Sequence, residues 1–160
     1  MTISKLYFLD GRDLWDTFNI GVESGSDDFL KIPERKDSIT HNWLDEDGTD
    51  VDLSRTFFKS REVNLHCFSQ NANREKFWEN YNSLITLFRK PGSRRLTITR
   101  HNKDYFVYYK DNNAYQSFRF TVMPSGSILT KFTLTLAEPK PTFEYQPTFL
   151  TDEAGRFIIT

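Results

Sequence analysis

Residues 73–90, Asn-Arg-Glu-Lys-Phe-Trp-Glu-Asn-Tyr-Asn-Ser-Leu-Ile-Thr-Leu-Phe-Arg-Lys, form the only stretch of the chain with a sustained helical period. Phe77, Tyr81, Leu84 and Phe88 recur at helical spacing, and Trp78 and Ile85 widen the same apolar stripe. Asn73 is placed to cap a free first-turn amide. Arg89 and Lys90 suit the negative end of the helix dipole. Pro91 disfavours helix at Lys90, and Gly92 permits a sharp turn. A lone amphipathic helix must bury its stripe against something, and strand-like segments lie on both sides of it, so a sheet is the available partner. The aromatic residues of the stripe read as core and do not indicate a cofactor box.

The strand segments follow a consistent pattern. Residues 3–9 read as a first strand closed by the Asp10-Gly11 turn signal, and 18–23 as a short second one. Residues 61–68 alternate, with Val63, Leu65 and Cys67 on one face and Glu62, Asn64 and His66 on the other. After the helix, 94–101 directs Leu96 and Ile98 inward, and 104–110 is its hairpin partner across His101-Asn102-Lys103. Residues 115–123 place Phe118, Phe120 and Val122 on one face. A loop at 124–127 leads to 128–137, with Ile128, Phe132, Leu134 and Leu136 on one face, before Pro139 and Pro141 end the sheet. Residues 143–160 are expected to be an arm or a final strand at Phe157-Ile158-Ile159. The expected fold is therefore mainly β with one flanking α-helix, built from about eight strands in antiparallel hairpins. Fifteen Phe residues and an aromatic content of 16% agree with a β-rich packed domain, and 160 residues suffice for a single core.

Between Glu23 and Asp52 the character changes. This stretch holds ten acidic residues against three basic ones, Lys31, Arg35 and Lys36. A segment this long with little regular pattern usually carries function or mobility. Within it, 38–44 and 50–58 read as the two arms of an extended hairpin with Asp47-Gly48 at the turn. The stretch carries −7, the remainder of the chain +6, and the whole −1. Bulk charge thus suggests neither a nucleic-acid nor an acidic-substrate partner. The opening Met-Thr-Ile-Ser-Lys lacks a signal-peptide run, and no apolar run approaches the roughly 20 residues of a membrane span. The expectation is a soluble protein made in a cytoplasm, without a membrane anchor.

Catalytic and metal chemistry find little support. His66 and Cys67 are strand neighbours whose side chains point to opposite faces, so they do not form a nucleophile–base pair. Cys67 reads as a buried inert thiol, and as the single Cys it makes no internal disulfide. Counted from Asp45 as an EF-hand loop, Gly48 stands fourth and Thr56 twelfth, where the pattern requires Gly sixth and Glu twelfth. There is no Gly-rich phosphate loop, and no catalytic residue, cofactor or metal is expected. Residues 89–103 hold six basic residues (Arg89, Lys90, Arg94, Arg95, Arg100, Lys103) and no acid, followed by Tyr105, Phe106, Tyr108 and Tyr109. That stretch, 89–109, supports an alternative reading as a nucleic-acid-binding module. Separated opposite charges also allow copies of one chain to join head to tail, in a contact that closes into a ring when its rotation permits.

In their order along the chain, several segments resemble the amino-terminal domain of siphophage distal tail proteins. These are Pro33-Glu-Arg-Lys-Asp-Ser-Ile39, Asn42-Trp-Leu-Asp-Glu-Asp-Gly48 with Asp50-Val-Asp52, Arg61-Glu-Val-Asn-Leu-His-Cys67, the Phe77-Trp78…Leu84…Leu87 helix, Pro91-Gly92 and Phe132-Thr-Leu-Thr-Leu-Ala-Glu-Pro139. The resemblance covers residues 1–142 and implies an antiparallel β-sandwich or rolled barrel of the phage tail-tube type, with 24–56 as a long hairpin arm. It implies a structural, non-enzymatic component of a phage or prophage tail. Such proteins form hexameric rings that link the tube to the baseplate or tip, with DNA as lumen cargo, in a virion assembled in the bacterial host cytoplasm. Many distal tail proteins add a second, carbohydrate-binding-like domain that this chain does not show, so direct receptor binding is not expected. The residues expected at the oligomer interface are Trp43, Asp45, Glu46, Asp47, Asp50 and Asp52 on the acidic side, and Arg94, Arg95 and Arg100 on the basic side.

Overall fold

The computed structural model describes residues 4–111 and 119–143, and the backbone of 150–151 and 157–158. Its centre is a ladder of two eleven-residue strands, β6 (Arg61–Asn71) and β10 (Ile128–Glu138), paired antiparallel without interruption from Arg61↔Glu138 to Asn71↔Ile128. Alternation explains β6. Val63, Leu65 and Cys67 are buried, while Glu62 and Asn64 are exposed. β10 is buried on both faces over its second half, because Thr133 and Thr135 on the far face are covered by His66 and Asn64, which hydrogen-bond to them at 3.1 and 2.6 Å.

Around this ladder runs a sheet in the order β2 (Arg12–Asp13), β1 (Tyr7–Leu9), β7 (Arg94–Ile98), β8 (Lys103–Asp111), β10, β6, β3 (Ile20–Ser24), with β9 (Arg119–Val122) also paired to β10. The sheet is antiparallel and curls into a half-barrel, which matches the β-rich expectation. Its concave face holds one core of Leu9, Phe18, Ile20, Phe29, Leu65, Leu96, Ile98, Tyr105, Val107 and Leu136, all buried. The ends of β11 (Leu150–Thr151) and β12 (Phe157–Ile158) pair with each other, outside the main sheet. The rest of the carboxy-terminal segment, and Phe118 of the expected 115–123 strand, lie outside the described residues. The described part of that strand, β9, is exposed throughout, so Phe120 and Val122 are not core residues.

The flanking helix is α2 (Arg74–Arg89), with Asn73 accepting the Lys76 amide at 2.8 Å as its cap. The buried face is turned slightly from the expected stripe. Phe77, Asn80, Leu84 and Leu87 are buried, Tyr81 and Phe88 are half-buried, and Trp78 and Ile85 are exposed. The stripe is wider than the surface beneath it, so one edge overhangs. A second helix, α1 (Leu14–Phe18), corrects the expectation of a single one. It has five residues, too few for a helical period to show, and forms because Asp13 accepts the amides of Trp15 and Asp16 at 2.8 and 2.9 Å while Asn19 ends it in a left-handed conformation. The first strand starts only at Tyr7, since Lys5 is left-handed and the chain there turns toward Asp13.

Candidate assembly surface

The acidic stretch is an arm. Its root is a short 3-10 turn, Ser26–Leu30, from which Phe29 packs on Tyr105 with ring centroids 4.5 Å apart. From there the chain runs out and back. Backbone bonds join Lys59 to Glu34, Lys36 to Phe57 and Asp52 to Ile39, each 2.8–2.9 Å. β4 (Thr40–His41) then pairs β5 (Asp50–Val51) in the register Thr40↔Val51. This is the hairpin read from the sequence, and Gly48 takes a positive φ of 93° in its turn. Neither β4 nor β5 packs closely against the sheet; they pair with each other.

The arm exposes large apolar side chains. Ile32, Ile39, Leu44, Leu53 and Phe57 are all more than half exposed, and Leu44 is completely so. Scattered exposed apolar residues are ordinary on a protein surface, but a run of them on one projection marks a contact site. The expected interface residues Trp43, Asp45, Glu46, Asp47, Asp50 and Asp52 all lie exposed on the arm. The Trp43 indole donates to Asp50 at 3.0 Å and its ring sits 3.8 Å from that of His41. Ser54 hydrogen-bonds Asp52 and holds its carboxyl below the usual range. Among the described residues no group of His, Cys, Asp and Glu is arranged to hold a metal ion.

What anchors the arm is a buried ion pair that sequence reading did not single out. Arg61 and Glu138 are both nearly inaccessible, and Glu138 Oε2 accepts from Arg61 Nε at 3.0 Å and Nη2 at 2.7 Å. Arg61 Nη1 donates to the carbonyls of Phe29 and Lys31 at 2.5 and 2.6 Å. One guanidinium thus ties the arm root to both central strands, which is how a buried charge becomes tolerable. The legible signal was phase, because Arg61 continues the inward positions of Val63 and Leu65.

The basic residues are not brought to the arm's apolar tip. Arg94 donates to Asp10 at 3.0 Å and to the Pro91 carbonyl at 2.6 Å, and is largely buried. Arg100 pairs with Asp27 at the arm root. Arg95 is exposed; its backbone N–H bonds Asp10 at 2.9 Å. Two of the three arginines that a nucleic-acid site would need are therefore engaged within the chain. His101, beside Arg100, bridges Asp27 at 3.2 Å and the hydroxyl of Tyr105 at 3.0 Å. His101 and Arg100 together hold Asp27 below the usual carboxylate range. Burial pushes the Cys67 thiol up to about 12, with Glu23 adding to the shift, so this sulfur is an unreactive core group.

Under the overhanging edge of α2, along the β6–β10 ladder from Asn71 and Thr130 to Leu134, lies a cavity of about 310 Å³. Phe77, Tyr81, Leu84, Ile85, Phe88 and Phe132 form its walls. Its floor is a chain of hydrogen bonds: Asn80 and Asn19 to Asn71 at 2.7 and 3.4 Å, Asn71 to Ser69 at 3.2 Å, and Ser69 to Thr130 at 2.7 Å. Of these, Ser69, Asn71 and Thr130 lie on inward strand positions, where phase alone announces burial.

The fold is similar to that of SPP1 Dit. The match has a TM-score of 0.59 at 16% sequence identity and covers 85% of this chain. The chain spans half the length of the SPP1 Dit structure, which is described as a paradigm of the hub adsorption apparatus in phages infecting Gram-positive bacteria. No protein-family model and no curated protein sequence matches the chain. Among the described residues, no helix is long and apolar enough to cross a membrane.

Proposed function

We propose that this chain is a structural component of a phage or prophage tail, a ring-forming distal tail protein or a related tail-tube subunit. In this reading residues 1–142 form the tail-tube-like domain, with 24–56 as its arm. Copies join into a hexameric ring that links the tube to the baseplate or tip, DNA passes through the lumen, and assembly takes place in the host cytoplasm. The observation that carries the reading is the arm. It is anchored at its root by Arg61, leaves the sheet as an ordered ladder, and carries large apolar side chains left exposed among the described residues. Such a projection gains stability only against another surface. The likeness to the SPP1 Dit fold supports the assignment to a tail, and the engaged Arg94 and Arg100 remove the motive for a nucleic-acid module.

Native mass spectrometry of the purified chain with negative-stain class averages tests this. Six-fold rings are expected, alone or on addition of the tube protein. A monomer at all concentrations, with and without that partner, would overturn the proposal. Charge contributes to the interface through the exposed acids of the arm on one copy and exposed basic side chains on the next, so assembly weakens as salt rises.

A further inference from the structure

The arm root sits at one end of the β6–β10 ladder, and the α2 cavity runs along that ladder from Asn71 and Thr130 to Leu134. Arg61 and Glu138 close one end of the ladder, and Asn71 and Ile128 the other. Ten residue steps of extended strand separate them, roughly 30 Å. A projection and a socket on different parts of one subunit are the arrangement of a heterologous, head-to-tail contact, in which the two partners offer different surfaces.

Resting on the reading of the chain as a ring subunit, we infer that the α2 cavity is the socket for the arm tip of a second copy, with Leu44 as the inserted side chain. Shape and charge both favour this occupant. The cavity is at the small end of ligand-sized pockets and has an apolar wall. Leu44 is the most exposed apolar side chain among the described residues and stands at the tip beside Trp43. Among the described residues, Arg89 is the one charged residue that lines the cavity, and it makes no side-chain hydrogen bond or ion pair with another described residue. Lys90 follows it, also exposed. Around Leu44 the tip carries Asp45, Glu46 and Asp47, all exposed. Insertion would thus bring three carboxylates to a cationic rim while an apolar side chain leaves water, the usual make-up of an interface hot spot with a polar surround. Among the described residues, the edge of α2 carrying Trp78 and Ile85 is the exposed part of the helical stripe, and Ile85 lines the cavity.

The test mixes two full-length chains, one carrying Leu44→Cys and the other Ile85→Cys, under mild oxidation in ring-forming conditions. Cys67 is buried and silent. Mixed-copy disulfide at least about tenfold above either chain alone is expected. Without oxidation, Leu44→Ala and Arg89→Glu should each raise the half-assembly concentration about tenfold, and their combination should cost less than the product of the two. Rings that assemble with no mixed-copy disulfide would overturn the socket and leave the ring reading standing. Absence of both rings and disulfide would overturn both. A disulfide between Ile85→Cys and Phe118→Cys within one chain of the assembled ring would give the cavity to residues 112–118. A bound small molecule retained in the native mass of the ring would give it to a ligand. Either result overturns the inference.

Discussion

Two hairpins of opposite charge show how differently the same local pattern can be held. The basic one, β7–β8, is a wall of the core: Leu96, Ile98, Tyr105 and Val107 are all but inaccessible, and Arg94 and Arg100 reach acids on neighbouring segments. The acidic one, residues 34–59, contributes no large apolar side chain to the core and keeps its shape by backbone bonds and a pair such as Lys59–Glu34 at 2.8 Å. The first hairpin is stable because it is covered. The second is ordered but uncovered, so its apolar side chains are free to contribute to an assembly instead of to the subunit.

That contrast can be broken at its hinge. Removing Arg61 leaves Glu138 buried without a partner and releases the arm root. Arg61→Ala should cost about 3–5 kcal/mol in denaturant unfolding and expose residues 24–33 to hydrogen exchange. Ile98→Ala, in the covered hairpin, should cost about 2–5 kcal/mol. Asn73→Ala, which uncaps α2 without touching either hairpin, should cost about 1 kcal/mol by the same measurement. Leu44→Ala, in the uncovered hairpin, should leave subunit stability within about 0.5 kcal/mol, and a larger loss would mean that the arm packs on its own subunit.

The smallest effect concerns pH. Asp27 has a folded pKa below its ordinary value of 3.8, through His101 and then Arg100. A depressed carboxyl stabilises the fold above its unfolded pKa, and that contribution disappears as pH falls through the folded value. Asp27→Asn should therefore flatten the acid limb of the stability curve slightly, because the group is exposed and screened by solvent. Equal acid limbs for the variant and the parent would show that the arm root and the basic hairpin are not coupled there.

Much of this contrast was legible in the chain. The alternation of Val63, Leu65 and Cys67, the period of 73–90 and the Asp47-Gly48 turn place β6, α2 and the arm, because each is set by local pattern. What was not legible depends on residues far apart. Arg61 meets Glu138 at a separation of 77 residues, and Arg94 meets Asp10 at 84. No local period announces such pairs. The helix α1 was hidden for the opposite reason, being shorter than the pattern that would reveal it. The basic stretch looked like a free surface because its acidic partners come from the amino-terminal third of the chain.

The β6–β10 ladder also governs when the fold can close. Its strands are separated by α2 and the β7–β9 region, so a nascent chain must emerge as far as residue 138 before the central pairing is complete. Pairings of such long range make a domain fold in milliseconds to seconds, as a rough guide, where local helical folds take microseconds. The outer part of the arm, residues 34–59, has ladder bonds that span at most 25 residues, from Glu34 to Lys59, and can form earlier. During synthesis Ile32, Leu44 and Phe57 would then stand beside an unfinished sheet edge, and the ring of acids around the tip would act as a gatekeeper against premature association.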